Sequence, residues 1–416
     1  MRTILGIDLG TSSVKAMLFD AEQGVIAVRA EEYGVDIAHP GWAQQSPALW
    51  WESLVRVLRW LESHYRGAYR AVCARAAHFL SPKDYIRYKM TGEIGAEVVD
   101  ASSTTLFATG ERDWAWEVID RFHLPPQLFP KVHESADIAG TVTAQCEAQT
   151  GLPAGIPVIY GSGDQPAQSI GNGVIGPGRI ISNIGTGGQI SAFSSRPAYD
   201  KKLRTNTFCH AIRDAWTIFG ATLCSGMSLS WAKNKVFRAG SYEEINAAVA
   251  AVSPGADGLI YLPYLSGERT PHMNPDARGV FFGMTLGQEQ GHFLRAVMEG
   301  VTYSLRDCLG ILQELGVDAP EIIASGGATA SPQWMQMQAD ILGKPVRVSR
   351  VKEQACLGSC LLAAVGTGVL PSLEEACGRF ALMDERVYLP DAANADVYRE
   401  GYDTYRRLYE RLWDLM

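Results

Sequence analysis

The sequence lacks an excess of basic residues, a long apolar run and a signal peptide. Its 416 residues include 37 Lys and Arg against 45 Asp and Glu, a formal net charge of -8. A nucleic-acid partner would need a basic patch for its phosphates, so this composition argues against one. No apolar run reaches the roughly 18 residues that a membrane-spanning helix needs, and residues 1–10 read as a strand. We therefore expect a cytoplasmic protein with no membrane partner.

The eight cysteines are scattered and form no CxxC pair of the kind that binds metals. Cys356 and Cys360 stand four residues apart in a helical pattern, so both are predicted to be core thiols on one helix face. Disulfides are not expected. Hydrophobic residues make up 47% of the chain, which at this length predicts a large core and two domains.

Residues 158–174, VIYGSGDQPAQSIGNGV, combine a short apolar run, two glycines and a carboxylate. The apolar run predicts a strand, Gly161 and Gly163 predict a bend, and the small residues after Asp164 predict a helix. Open α/β sheets bind their ligands beyond the carboxyl ends of the strands. Asp164 is therefore the candidate general base, and an ordinary helix cap is the alternative.

Residues 3–33 predict an antiparallel meander of three strands, TILGIDLG, VKAMLFD and GVIAVRAEEY. The first turn, DLGTSSVK, surrounds Asp8 with a glycine and three hydroxyl side chains. Such a turn can hold a phosphate while the carboxylate holds its Mg²⁺, and a plain hairpin is the alternative. It is not a P-loop, because GxxxxGK[ST] is absent from the sequence.

Two further glycine-rich turns follow β-rich runs: NIGTGGQI at residues 183–190 and ASGGATASPQWMQMQADILGKPV at residues 324–346. Together with the first turn, and in this order along the chain, these turns resemble the two phosphate loops and the adenosine loop of the actin, hexokinase and sugar-kinase superfamily. The resemblance implies an α/β fold of two ribonuclease H-like domains, with ATP in a cleft between them.

Within that superfamily the chain resembles the FGGY carbohydrate kinases, and among these the xylulokinases. Five segments besides GSGDQPA and the loops carry the resemblance, and LSGERTPHMNPDARG is the most specific part of them. They are SPKDYIRYKMTGE (81–93), RTNTFCHA (204–211), LPYLSGERTPHMNPDARGVFFGM (262–284), RAVMEGVTYSLRD (295–307) and EQACLGSCLLAAVG (353–366). The segment PALWWESLVRVLRWLESH (47–64), whose apolar residues recur at helical spacing, predicts a helix.

The resemblance implies ATP-dependent phosphorylation of a sugar hydroxyl, D-xylulose to D-xylulose 5-phosphate in the first instance. Gln165 replaces the Asn that often follows the catalytic Asp in xylulokinases, and a Gln is found there in glycerol kinases. Ribulose, gluconate and glycerol therefore stay open as substrates. Residues 1–176 would form the N-terminal domain and residues 177–416 the nucleotide-binding C-terminal domain, and a homodimer also stays open.

The resemblance also assigns roles to single residues. Asp164 would be the catalytic base and, with Gln165, would bind the sugar. Asp8 and Asp164 would hold Mg²⁺. The residues implied to bind ATP are Gly10, Thr11, Ser12, Ser13, Gly185, Thr186, Gly187, Gly226, Ser230, Gly326, Gly327 and Ser331.

One stretch departs from the family pattern. Between Trp51 and Ser81 the chain is short of roughly 70 residues that would supply a central strand and much of the sugar pocket. Loss of that strand would leave buried backbone groups unpaired, at about 1 to 3 kcal/mol each. Residues 69–80 could act as a substitute strand, or the segment is a natural or engineered deletion, or it is absent from the printed chain. A nucleotide-binding pseudokinase is accordingly the alternative function.

Overall fold

A computed structural model describes residues 3–9, 13–20, 24–32, 47–66 and 77–416 of the chain. These residues form two compact units. The first falls within Met1–Phe79, Pro125–Phe129 and His272–Pro275, and the second comprises Leu80–Leu124, Pro130–Pro271 and Asp276–Met416. The sequence-based boundary after residue 176 stays a prediction.

The first unit is built on the predicted meander. Strands β1 (Thr3–Leu9), β2 (Ser13–Asp20) and β3 (Gly24–Glu32) pair antiparallel in the order β1-β2-β3. The alternation of a strand directs every second side chain of β2 to one face, where Val14, Ala16 and Leu18 are buried. Helix α1 (Pro47–His64), which begins and ends as predicted, covers that face with Val57 and Leu61.

The second unit contains a seven-stranded sheet with the strand order β12-β13-β11-β10-β16-β17-β18. Strands β10, β16 and β17 are parallel, and the other neighbours are antiparallel. The strands of this sheet are β10 (Arg179–Ile184), β11 (Gly188–Ser194), β12 (Asn206–Cys209), β13 (Trp216–Thr222), β16 (Glu321–Ser325), β17 (Val346–Ser349) and β18 (Met383–Tyr388).

Short strands pair in twos elsewhere in the second unit. They are β4 (Ala96–Glu97) with β7 (Val132–His133), β5 (Phe107–Ala108) with β6 (Asp113–Trp114), β8 (Ile138–Thr141) with β9 (Pro157–Ile159), and β14 (Ile260–Leu262) with β15 (Val280–Phe282).

The described helices of the second unit include one long buried helix, α9, against which much of the hydrophobic core packs. The helices are α2 (Pro82–Thr91), α3 (Val98–Ser102), α4 (Trp116–Arg121), α5 (Ala144–Thr150), α6 (Asp164–Gly171), α7 (Gly226–Trp231), α8 (Tyr242–Ala250), α9 (Gln290–Glu314), α10 (Pro332–Leu342), α11 (Gln354–Gly366), α12 (Leu373–Phe380) and α13 (Ala395–Leu412). Strands and helices alternate through much of this unit, so the predicted α/β class is confirmed.

Helices α6 and α11 pack against each other with their backbones in close approach. A Cβ atom at Gly171 would overlap the carbonyl oxygen of Gln354, and one at Gly358 would overlap that of Ala167. Only glycine allows this spacing, so the glycines of the α6 and α11 sequences determine how the Asp164 helix is seated.

Two expectations from the sequence have different outcomes here. The prediction that Cys356 and Cys360 are core thiols is wrong, because both are exposed on α11. Helix α11 is apolar on more than one face, so its sequence pattern does not reveal which face is buried. The substitute strand proposed for residues 69–80 lies largely outside the described residues. Among the described helices, none is long and apolar enough to cross a membrane.

Candidate active site

Three glycine-rich segments meet at one edge of the seven-stranded sheet. Strands β10 and β16 are parallel, with Asn183 paired to Ser325, so their carboxyl ends lie side by side. Strand β10 leads into the turn at residues 185–187, and strand β16 leads into Gly326. Strand β13 ends at Thr222, opposite Gly188, and continues into α7. This is the edge at which open α/β sheets bind ligands.

The turn at residues 185–187 is bonded to the start of α7. The Gly185 N–H donates to the Gly187 oxygen at 3.0 Å, and the Gly226 N–H donates to the Gly185 oxygen at 2.9 Å. A Cβ atom at Gly187 would lie 2.7 Å from the Thr222 oxygen, and one at Gly226 would overlap the Gly185 oxygen. Gly185 and Thr186 are exposed, so the turn offers its backbone to solvent at a fixed distance from α7.

The third segment needs glycine for a different reason. Gly326 has a φ of +83° and lies against the turn, because a Cβ atom there would be 2.6 Å from Asn183 Oδ1. At Gly327 nothing lies within 4 Å of such an atom. Ser331 is buried and caps α10: its hydroxyl accepts from the Trp334 N–H at 3.2 Å and donates to Asn246 Oδ1 at 2.6 Å.

Two of the expected ATP-binding serines thus differ in their surroundings. The hydroxyl of Ser331 is engaged in the protein, whereas Ser230 is half-buried in α7 and accepts from Asn234 Nδ2 at 3.2 Å. Neither observation tests the expected contact with nucleotide, and both roles stay predictions.

Asp164 is the first residue of α6, with Gly163 at the N-cap, and it is exposed. Its Oδ1 accepts from the Gln165 N–H at 2.8 Å. A carboxylate is stabilised at a helix N-terminus by the unpaired amides and the helix dipole. The structure thus has the predicted strand, bend and helix, and it presents the Asp164 carboxylate to solvent.

Two glutamine side chains tie α6 to the glycine-rich edge. Gln165 Nε2 donates to Gln189 Oε1 in β11, and Gln168 Nε2 donates to Ser325 Oγ at 3.0 Å, at the end of β16. The structure therefore brings the predicted helix of Asp164 to the predicted turns. The sequence reasoning missed Gln168 and Gln189, although Gln189 follows the glycine turn directly and its position was the available signal.

A charged cluster lies beside the segment that leads into α6. Lys83 Nζ is 3.0 Å from Asp84 Oδ1, 3.4 Å from Glu97 Oε2 and 3.6 Å from Asp100 Oδ2. Burial by itself lowers the pKa of Lys83, but the three carboxylates outweigh it and the pKa is raised. In the sequence, Lys83 and Asp84 are distinguished only as members of the family-like segment 81–93.

Burial shifts the pKa of two carboxyl groups of this cluster, Glu97 and Asp100, in the opposite direction from that of the lysine. Burial raises the pKa of Glu97 to about 7, although Lys83 and the Ser135 hydroxyl favour the charged form. Burial also raises the pKa of Asp100, and Lys83 again opposes the shift. Negative charge is therefore tolerated here only while Lys83 supplies its counter-charge.

A buried carboxyl group also lies at the glycine-rich edge. Glu268 Oε1 accepts from the Leu223 N–H at 2.9 Å and from the Arg269 N–H at 2.6 Å, which fastens this segment to the end of β13. Its Oε2 is buried without a hydrogen-bond partner in the part of the chain that the structure describes. Burial raises the pKa of Glu268 to about 8.

The expected N-terminal phosphate turn is only partly covered by the structure. Asp8 lies in β1, where its backbone pairs with Lys15, and Ser13 begins β2. Gly10, Thr11 and Ser12, and the side chains of Asp8 and Ser13, lie outside the described residues. Their assigned roles stay predictions.

Comparison with known proteins agrees with these features. Residues 3–59 and 54–171 match the N-terminal domain of the FGGY family of carbohydrate kinases, and residues 181–367 match its C-terminal domain. The xylulose kinase of Bacillus subtilis (strain 168) is 29% identical over 490 aligned positions, which cover 100% of this chain and 98% of that protein. The gluconokinase of the same organism is 31% identical over 318 positions, which cover 73% of this chain and 61% of that protein.

The solved structures include the xylulose kinase of Rhodospirillum rubrum. It is 26% identical, with a TM-score of 0.76, and the match covers 100% of this chain and 99% of that one. The expected two-domain fold class of the actin and hexokinase superfamily is thereby confirmed. With both domains matched in order over most of the chain, the protein belongs to the FGGY family of carbohydrate kinases and is a sugar kinase.

Proposed function

We propose that the protein transfers the γ-phosphoryl group of ATP to a hydroxyl of D-xylulose, giving D-xylulose 5-phosphate. The observation that carries this proposal is the exposed carboxylate of Asp164 at the start of α6. Gln165, its neighbour, is bonded to Gln189 at the glycine-rich edge. A proton acceptor is thus held in the same unit as the turns suited to phosphate.

In this proposal Asp164 accepts the proton of the sugar hydroxyl as that oxygen attacks the γ-phosphorus. The bond between the γ-phosphorus and the bridging oxygen of ADP breaks in the same step. Asp164 Oδ1 accepts a hydrogen bond from the Gln165 backbone N–H. This bond orients the carboxylate and leaves the other oxygen for the proton. Gln165 would contact a neighbouring sugar hydroxyl.

The nucleotide would lie along the glycine-rich edge. Backbone groups of the turn at residues 185–187 would contact phosphate, and Gly226, Ser230, Gly326, Gly327 and Ser331 would flank the rest of the nucleotide. Thr11, Ser12 and Ser13 would donate to the transferring group, and Gly10 would also bind ATP. Preorganised donors of this kind supply most of the stabilisation in phosphoryl transfer.

Mg²⁺ fits the donors that are available. Among the described residues no group of three or more His, Cys, Asp or Glu side chains could hold a metal ion. Mg²⁺ is usually held by one or two carboxylates together with substrate phosphates and water, rather than by a full protein cage. Asp8 and Asp164 would be those carboxylates, and the bound ion would neutralise charge on the phosphates.

D-Xylulose is preferred to the other sugars because relatives named xylulose kinase align along the full chain, whereas the gluconokinase alignment covers 73% of it. The test is ADP release measured with xylulose, ribulose, gluconate and glycerol at matched concentrations. We expect kcat/KM to be highest for xylulose. Equal turnover on all four, or turnover on none, would remove the xylulose assignment.

A second candidate is a nucleotide-binding pseudokinase. The N-terminal family domain matches in two overlapping pieces, and the alignment to the Bacillus subtilis xylulose kinase has 490 positions against 416 residues here. Both observations support a shortened first domain, which would lack part of the sugar pocket. Calorimetry with xylulose separates the candidates, since sugar binding at millimolar concentration or better would count against a pseudokinase.

A further inference from the structure

The segment that leads to Asp164 is anchored at Tyr160, directly after β9. The Tyr160 N–H donates to the Asp137 oxygen at 3.0 Å, and its ring stacks on His133 with centroids 4.1 Å apart. The guanidinium of Arg87 lies 4.3 Å from the centre of the same ring. The Gly161 N–H also donates to the Ser135 oxygen at 2.9 Å. These contacts fix where the segment begins, but none of them reaches residues 162–163.

Lys83 connects this anchor to the rest of the segment. Its Nζ donates to the Tyr160 carbonyl oxygen at 3.1 Å while it contacts the carboxylates of Glu97 and Asp100. A Cβ atom at Gly161 would lie 3.8 Å from Lys83 Cδ. The aliphatic part of the lysine therefore runs beside the first glycine of the bend, and its ammonium group holds the carbonyl that precedes it.

Asp100 lies beside the other end of the bend. A Cβ atom at Gly163 would lie 3.2 Å from Asp100 Oδ1, in the space beside the N-cap of α6. Glu97, the N-cap of α3, accepts from the Asp100 N–H at 3.2 Å and so fixes the turn that carries Asp100. Lys83 thus spans the bend, contacting the backbone at its start and the acidic group at its end.

We propose that Lys83, acting through Asp100 and the Tyr160 carbonyl, is a positioning residue that holds residues 160–163 so that the Asp164 carboxylate meets the sugar hydroxyl. This inference rests on the proposed role of Asp164. Lys83 itself does not contact the substrate. The three surrounding carboxylates make its neighbourhood net negative, which is unsuited to a phosphate.

The first test is hydrogen exchange of the peptides that cover residues 158–168 in the whole protein. In Lys83→Met we expect the amides of residues 161–164 to exchange about tenfold faster, because charge-assisted bonds that close the bend are lost. Lys83→Arg keeps the charge and should retain most of the protection. The matched control is Lys89→Met, which removes an exposed lysine from the same helix and should leave these peptides unchanged.

The second test separates positioning from a general loss of structure. We expect kcat of Lys83→Met with the sugar substrate to fall roughly 10- to 100-fold, as for a displaced catalytic group. KM for ATP should be unchanged, because the turn at residues 185–187 is bonded to α7 and not to Lys83. Asp100→Asn keeps the side-chain shape and should change hydrogen exchange and kcat in the same direction, but by smaller factors. It replaces Lys83→Met as the test variant if that protein does not fold.

The outcomes are distinguishable from failure of the proposed function. If the parent protein phosphorylates none of the sugars, the proposed function is wrong, and the exchange data alone decide the role of Lys83. Unchanged exchange at residues 161–164 in both Lys83→Met and Asp100→Asn would overturn the inference. So would a loss of protection spread evenly over the second unit, or a fall in kcat that Lys83→Arg does not restore.

Discussion

The glycine-rich edge of the seven-stranded sheet and the start of α6 lie in the same unit, but backbone groups form the first and charged side chains surround the second. At the edge, backbone groups approach Gly187, Gly226 and Gly326 so closely that side chains are excluded at these three positions. At the start of α6, the exposed Asp164 follows a bend that lies beside a cluster of one lysine and three carboxylates. The edge is specified by the absence of side chains, and the helix start by their charge.

This difference predicts different sensitivities. An added methyl group at Gly187, Gly226 or Gly326 produces a steric clash that no change of pH or salt relieves. A changed charge near α6 alters where a carboxylate lies and which proton it accepts, while the backbone can stay in place. Substitutions in the two regions should therefore separate nucleotide binding from catalysis.

The largest effect is expected for Asp164→Asn. The amide keeps the shape of the side chain but cannot accept the proton of the sugar hydroxyl, so kcat should fall by about 10² to 10⁴. Sugar and ATP should still bind, which calorimetry would measure. The control is Asp396→Asn, which changes an exposed carboxylate in the first turn of α13. Near-normal turnover of Asp164→Asn would contradict the role of Asp164 as proton acceptor, and with it the proposed difference between the two regions.

Asp8→Asn should affect metal use rather than proton transfer. If Asp8 holds Mg²⁺ directly or through water, the variant should need roughly 10- to 100-fold more Mg²⁺ for half-maximal rate, by analogy with other weakened metal shells. Raising Mg²⁺ should restore part of its activity, whereas it should restore none in Asp164→Asn. Initial rates across a Mg²⁺ series measure both variants. An identical Mg²⁺ response would mean that the two carboxylates share one role.

Gly326→Ala tests the glycine-rich edge. The new methyl group would meet Asn183 and the Ile184 carbonyl in a backbone conformation with φ of +83° that alanine rarely adopts. We expect ATP to bind about tenfold more weakly, which corresponds to about 1.4 kcal/mol, with sugar affinity unchanged. The matched control is Gly378→Ala in α12, a residue with no assigned role, where nothing lies within 4 Å of the added atom. Equal ATP affinity in the two variants would contradict the steric argument.

The sequence predicted the glycine-rich edge better than the charged cluster, for a physical reason. A turn that needs positive φ or close approach restricts the local residue types, so the glycines around residues 185–187 and 326 are visible as a pattern. The strand, bend and helix around Asp164 were also predicted, because the apolar run, glycines and carboxylate are consecutive in the chain.

The cluster around Lys83 could not be predicted in this way. Lys83, Glu97 and Asp100 come from α2, β4 and α3, and Tyr160 follows β9, so their meeting depends on tertiary packing. The exposure of Cys356 was missed for a related reason, because packing against α6 and not hydropathy selects the buried face of α11.

The smallest effect on binding and catalysis is expected for Glu268, a titratable group within the otherwise backbone-built edge, because its substitution should change stability instead. Its pKa is about 8 in the folded protein, against an unfolded value near 4.3, so between these pH values the folded state binds more protons than the unfolded state. Stability should therefore fall as pH rises from about 5 to 8, by at most about 1.4 kcal/mol per pH unit from this group. Glu268→Gln keeps an acceptor for the Leu223 and Arg269 amides and removes the titration, so its stability should fall less steeply. Urea unfolding of both proteins from pH 5 to 8 measures the difference. The contributions of other buried carboxyl groups, such as Glu97 and Glu299, largely cancel in that difference. Parallel curves would show that Glu268 is charged at neutral pH, and the edge would then contain a buried negative charge beside the turns assigned to phosphate.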